Sequence, residues 1–198
     1  AQRAVPVRFG AEVQALPRGS GLTWLSPAFF ATALLYASVG FGGGSTYNAL
    51  LSLAGFDFRL LPIVSLCCNV VVVTGGTIRF ARAGVTPWKQ ALLLSLIAAP
   101  LAYLGGRTPI REETFLVLLG LSLVAAGLAL LLPRPAEQAA EPARAARFMP
   151  LVAVPLGYLA GLTGIGGGIF LAPLLHLTRW AEARAIAATT SLFILINS

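Results

Sequence analysis

The sequence predicts an all-α fold, a polytopic transmembrane helical bundle with two repeated halves and glycine-interrupted helices. Three observations predict it. Of the 198 residues, 57% are hydrophobic and 11% charged, and the mean hydropathy is +0.83; a soluble domain carries about 25% charged residues. The apolar residues fall into runs separated by short gaps rich in arginine, proline or tryptophan. Finally, the stretch Ala37-Ser-Val-Gly-Phe-Gly-Gly-Gly-Ser-Thr-Tyr-Asn-Ala-Leu-Leu51 recurs, altered, as Leu162-Thr-Gly-Ile-Gly-Gly-Gly-Ile-Phe-Leu-Ala-Pro-Leu-Leu175.

Residues 1–24 form a polar tail with Pro6, Pro17, Gly19 and Gly21, too polar to build a core of its own. Trp24 reads as an interfacial anchor, and Pro27 suits the first turn of a helix. The first membrane repeat is read as residues 25–132. Its opening run, Leu25 to Val39, would be only about 22 Å long as a helix, short of a hydrocarbon core of about 30 Å. The first glycine break follows, then a second short piece, Ser45 to Ala54. Leu60 to Ile78 is a full span bracketed by Arg59 and Arg79. Gln90 to Leu104 is the next, with Pro100 as an expected kink. Thr114 to Leu132 is the most plainly apolar.

Residues 133–147 are a Pro/Ala/Glu/Arg linker and the natural boundary between halves. The second repeat, residues 148–198, opens with the short run Phe148 to Thr163. The second glycine break, the piece Ile169 to Leu177 and the beginning of a span at Ala185 follow. The first half has two more spans after the corresponding point, so the second repeat is expected to be incomplete in this chain.

Topology stays open at this level. If each broken segment crosses fully, the halves run parallel, and nine of the fourteen basic residues share one side, the cytoplasmic one by the excess of basic residues in cytoplasmic loops. If the broken segments are re-entrant, the halves are inverted and the asymmetry shrinks to eight against six. The shortness of the broken pieces favours re-entry, and charge favours crossing.

Glycine costs a helix interior about 1 kcal/mol relative to alanine, and non-helical backbone at membrane depth survives only when buried in protein or lining a watery cavity. Successive glycines let consecutive amides converge into an anion nest, and a half-helix starting at Ser45 or Ile169 would add partial positive charge there. Paired breaks in two halves point to a transporter binding site. The alternative is that the glycines serve close helix packing; two copies with one internal spacing favour the site.

Ser38, Ser45 and Thr46 would complete the first nest and Thr163 the second. Asn48 is the asparagine closest to the first break and is replaced by Ala172 in the second. Asn69 lies mid-span, and Asn197 follows its own break at a similar distance, with Thr189, Thr190 and Ser191 nearby. The candidate substrate-binding set is therefore Gly40, Gly42, Gly43, Gly44, Ser45, Asn48 and Asn69 from the first half. The second half adds Thr163, Gly164, Gly166, Gly167, Gly168 and Asn197.

The net charge of +7 comes from 14 basic against 7 acidic side chains, without a basic stripe interleaved with aromatics, so nucleic acid is not an expected partner. No Ser/His/Asp set, paired carboxylates, metal-ligand spacing or phosphate-binding loop is present, so neither enzymatic activity nor a cofactor is expected. Adjacent Cys67 and Cys68 read as small core residues. His176, the sole histidine, reads as interfacial, with a proton relay as the alternative.

The doubled Gly-x-Gly-Gly-Gly resembles that of the TauE/SafE sulfite exporter family, also called the 4-toluene sulfonate uptake permease family. Gly164 to Leu175, followed by Ala187-Ala-Thr-Thr-Ser191, is similar to the family pattern throughout. Tyr36-Ala-Ser-Val-Gly-Phe-Gly-Gly-Gly44 looks like one branch of it, though Ala49 stands where the family has proline. The resemblance implies a permease for small anions such as sulfite or sulfonates, in a bacterial inner membrane, with its site on Gly40 to Gly44 and Gly164 to Gly168. The family continues for further spans, so the alternative is a transport-inactive accessory subunit of a larger membrane complex. In that case the tail would contact other subunits. Expected partners are thus the lipid bilayer, a small anion and, through the tail, other membrane proteins.

Overall fold

The computed structural model describes residues 23–39, 41–131 and 148–198. Most of the polar tail, Gly40 and the linker lie outside the described residues. Among those described, eight helices form and no strand. They are α1 Leu25–Val39, α2 Gly44–Leu53, α3 Leu60–Arg82, α4 Trp88–Arg107, α5 Glu112–Leu131, α6 Met149–Thr163, α7 Gly168–Leu177 and α8 Ala183–Asn197.

Helices α3 and α4 are long and apolar enough to cross a membrane. Arg79 and Arg82 stand in the last turn of α3, and Glu112 and Glu113 in the first turn of α5; each places charge where the helix dipole favours it. Pro100 lies inside α4, which remains one helix past it. Helix α5 turns Val117, Leu121, Val124 and Leu128 outward, the face a helix shows to lipid.

Both glycine-containing runs break into half-length helices as the sequence predicts. The first break folds back on itself. The rings of Phe29 and Tyr47 lie 4.9 Å apart, and the Tyr36 and Thr46 hydroxyls are hydrogen-bonded at 2.9 Å. At 1.5 Å per residue, about 15 Å of helix separates Phe29 from the end of α1, so a continuing helix could not bring Tyr47 beside it. Helices α1 and α2 are therefore a re-entrant hairpin, which answers the first topological alternative.

Helix directions answer the second. Gly44, at the start of α2, meets Ser65 and Asn69 of α3, while Leu51 near its end shares a core with Leu61 at the start of α3. Gly168, at the start of α7, likewise meets Thr190 and Ile194 of α8, and Leu175 shares a core with Ile186. Helices α3 and α8 thus hold the same place in their halves. They pack directly together: Ser191 bonds to Thr77 at 3.0 Å and to the Val73 carbonyl at 3.2 Å, and Asn69 meets the far end of α8 around Ile194 and Ser198. Advancing along α3 means retreating along α8, so equivalent helices run antiparallel. The halves are inverted repeats, the architecture in which a site forms at the repeat interface.

The halves are locked by α4 and α6, which run parallel. A Cβ on Gly157 would strike Ala98, and one on Gly161 would strike Ala102, so small residues four apart on both helices let the backbones touch. Close packing by glycine, the rival account of the two motifs, operates here and at the motifs too, where a Cβ on Gly42, Gly44, Gly164 or Gly168 would also strike a neighbour.

Candidate functional site

Each break ends one helix and starts another within a few residues. At the first, Gly43 adopts φ +77° as the N-cap of α2. At the second, Gly164 closes α6 in the left-handed region, and Gly167 caps α7 at φ +74°. The Gly43 and Gly167 conformations strain any L side chain, which explains glycine at both caps. Intrahelical bonding begins only at the Thr46 amide, to the Gly43 carbonyl, and at the Phe170 amide, to the Gly167 carbonyl. The first amides of α2 and α7 are thus left free of intrahelical partners.

The two breaks meet. Asn69, wholly buried, donates from Nδ2 to the Ile165 carbonyl at 3.0 Å. Its carboxamide fits between Gly42 and Gly44, where any side chain would collide with it. Asn48, also fully buried, donates to the Thr163 carbonyl at 2.9 Å. Two asparagines of the first half therefore satisfy carbonyls left over where α6 ends. Their Oδ1 atoms have no hydrogen-bond partner among the described residues.

Between the breaks lies a cavity of about 130 Å³. One wall is the start of α2, with Gly42, Gly43, Gly44 and Ser45, and with Tyr36 and Phe41 at its edge. Ser45 is 2% exposed and lines this wall. The opposite wall is Ile165, Ile169, Ala172, Pro173 and Ile194.

The candidates from sequence therefore separate. Gly42, Gly43, Gly44 and Ser45 line the cavity. Asn69 and Asn48 stand behind it and hold the two breaks together. Thr163 is buried with its hydroxyl on its own helix, at the Leu159 carbonyl. Gly164, Gly166, Gly167 and Gly168 do not reach the cavity wall: Pro62 covers Gly164, Phe193 and Ala160 cover Gly167, and Ile194 covers Gly168 and part of Gly166. Asn197 points to the Phe193 carbonyl of its own helix; Ile194 stands over the second break as Asn69 does over the first. Gly40 lies outside the described residues. Ser38 bonds to the Leu35 carbonyl on the exposed side of α1. His176 lies in the last turn of α7 and does not line the cavity.

Sequence reading did not single out Tyr36, Phe41 or the apolar wall. Within that wall, Ala172 was marked only as the residue replacing Asn48 in the second copy, and Ile169 only as the start of a half-helix. Apolar residues in an apolar chain give no pattern of their own.

Comparison with known proteins agrees with the doubled motif. The profile of the sulfite exporter TauE/SafE family matches residues 25–198. A probable membrane transporter protein of Sinorhizobium fredii is 34% identical over 184 residues, covering 88% of this chain and 72% of that protein. A probable membrane transporter protein of Methanocaldococcus jannaschii is 24% identical over 168 residues, covering 80% of this chain and 62% of the relative. No solved structure matches.

Proposed function

The chain belongs to the sulfite exporter TauE/SafE family, an integral membrane protein of a transporter family, and on that premise we propose that it is a permease for small oxyanions. We place it in a bacterial cytoplasmic membrane, where it moves its substrate without transforming it. The observation that carries this reading is the convergence of the α2 start and Ser45 on one cavity between inverted halves.

The chemistry follows from the backbone. The amides of Gly44 and Ser45 and the positive end of α2 hold an anion with no buried lysine or arginine, so the site is charged only when occupied. The Ser45 hydroxyl adds a donor whose position is fixed by the first turn. Sulfite or the head of a sulfonate has acceptor oxygens for all three. Inverted repeats around such a site permit access from either side by rocking one half against the other.

Saturable flux of sulfite or a short sulfonate into vesicles carrying the full-length protein tests this. Ser45→Ala removes one donor to a charged ligand, an effect of about 1.5–3 kcal/mol, and so weakens apparent affinity roughly ten- to a hundredfold while insertion is retained. Absence of saturable flux in the parent protein would instead support the accessory-subunit reading.

A further inference from the structure

The Asn69 carboxamide is wholly buried, and its Nδ2 is taken up by the Ile165 carbonyl at 3.0 Å. That bond fixes which way the amide faces. It leaves Oδ1 turned toward Gly42, with no hydrogen-bond partner among the described residues, and a bare acceptor at full burial calls for a reason. Two more oxygens stand beside the same carboxamide. The Ile165 carbonyl and the Ser65 hydroxyl lie 2.7 and 3.0 Å from the point that a Cβ on Gly44 would occupy. Ser65 donates to the Gly44 carbonyl at 2.8 Å, which leaves its own lone pairs to accept, and the Ile165 carbonyl keeps a second lone pair. Ile165 also lies just past the end of α6, where the last carbonyls carry partial negative charge. Gly42, Gly44 and Ile165 all line the cavity, so these neutral oxygens gather at its back.

We infer that Asn69 Oδ1, the Ile165 carbonyl and the Ser65 hydroxyl are ligands of a monovalent cation, sodium, which binds beside the anion. Oxygen donors suit a hard cation, and sites for calcium and magnesium draw on carboxylates. No carboxylate lines this cavity, and no histidine, lysine or arginine. An anion bound alone would bring its charge to membrane depth uncompensated; a cation behind it cancels that charge. Unwound backbone and the carbonyl end of a half-helix are where membrane transporters coordinate such ions. The carboxamide fits between Gly42 and Gly44 with no space for a side chain on either, which favours sodium over the larger potassium. The site stands on this geometry alone, and its part in transport rests on the permease reading.

The test is the thermal midpoint of the full-length protein in detergent, titrated with sodium chloride against choline chloride at constant ionic strength and without sulfite. A ligand of the folded state raises the midpoint as its concentration passes its Kd. Sodium should do so, and potassium should do so less. Ser65→Ala removes one ligand and should move the sodium response about tenfold higher in concentration, the loss of one contact to a charged group. Ser122→Ala, whose hydroxyl bonds to the Leu118 carbonyl of its own helix, should leave the response where it is. Sulfite flux into vesicles, measured in sodium and in choline, should be faster in sodium. A sodium response that Ser65→Ala does not move would overturn the ligand assignment; should that variant not fold, the parent titration decides alone. A midpoint indifferent to sodium, with saturable flux equal in both salts, overturns the inference while the permease reading stands. A sodium-raised midpoint without saturable flux upholds the site and removes the permease reading.

Discussion

Asn69 Nδ2 lies 3.0 Å from the carbonyl oxygen of Ile165, and this bond joins the interrupted backbone of one half to the centre of the other. It explains the glycines on either side of it. Gly42 and Gly44 leave the space that the Asn69 carboxamide fills, so the first motif is shaped around a side chain that arrives from α3.

Replacing Asn69 by alanine leaves the Ile165 carbonyl without its donor inside the protein. A buried polar group left unsatisfied costs about 1–3 kcal/mol. Asn69→Ala should lower the thermal midpoint in detergent and speed hydrogen exchange at 164–168. Unchanged exchange there would mean that the bond does not hold the breaks together.

Gly43→Ala and Gly167→Ala should each destabilise the protein, because a left-handed conformation costs an L residue about 1–2 kcal/mol. The added Cβ would also press on Tyr36 at 3.0 Å in the first case and on Phe193 at 2.8 Å in the second. Gly75, inside α3, has nothing within 4 Å of such a Cβ. Gly75→Ala should therefore be neutral or gain up to about 1 kcal/mol from helix propensity. Equal losses at all three positions, measured as thermal midpoints, would remove the argument from backbone conformation.

The inverted arrangement places residues 54–59 and 178–182 on opposite sides of the membrane. With Cys67 and Cys68 replaced by serine, Asp57→Cys and Ala181→Cys should react with a membrane-impermeant thiol reagent from opposite faces of oriented vesicles. Labelling of both from one face is the outcome expected of fully crossing segments and would overturn the hairpin topology.

Membrane residence, the two halves and the interrupted helices were legible in the sequence because each leaves a one-dimensional mark: apolar runs, a polar gap and a doubled motif. The sense of the repeat was not. Basic residues favoured full crossing and the short broken pieces favoured re-entry, whereas the Phe29–Tyr47 contact depends on how sharply the chain turns between Val39 and Gly44, which composition does not encode. The lining of the candidate cavity was half legible. Gly42 to Ser45 could be named because glycine and serine in an apolar run stand out. The second motif looked equivalent in sequence and is not, since Ile194 and Phe193 cover it from a different helix. Asn197 was paired with Asn69 by counting along the chain, yet packing brings Ile194 to that place.

If the two breaks form one site, an anion sits on the start of α2. The most direct measurement is anomalous scattering from crystals of the full-length protein grown with bromoethanesulfonate. The sulfonate head is expected within hydrogen-bonding distance of the Ser45 hydroxyl and the bromine against Ala172 and Ile194. Bromine signal confined to the loops around Arg107 and Arg111, with the cavity empty, would contradict it.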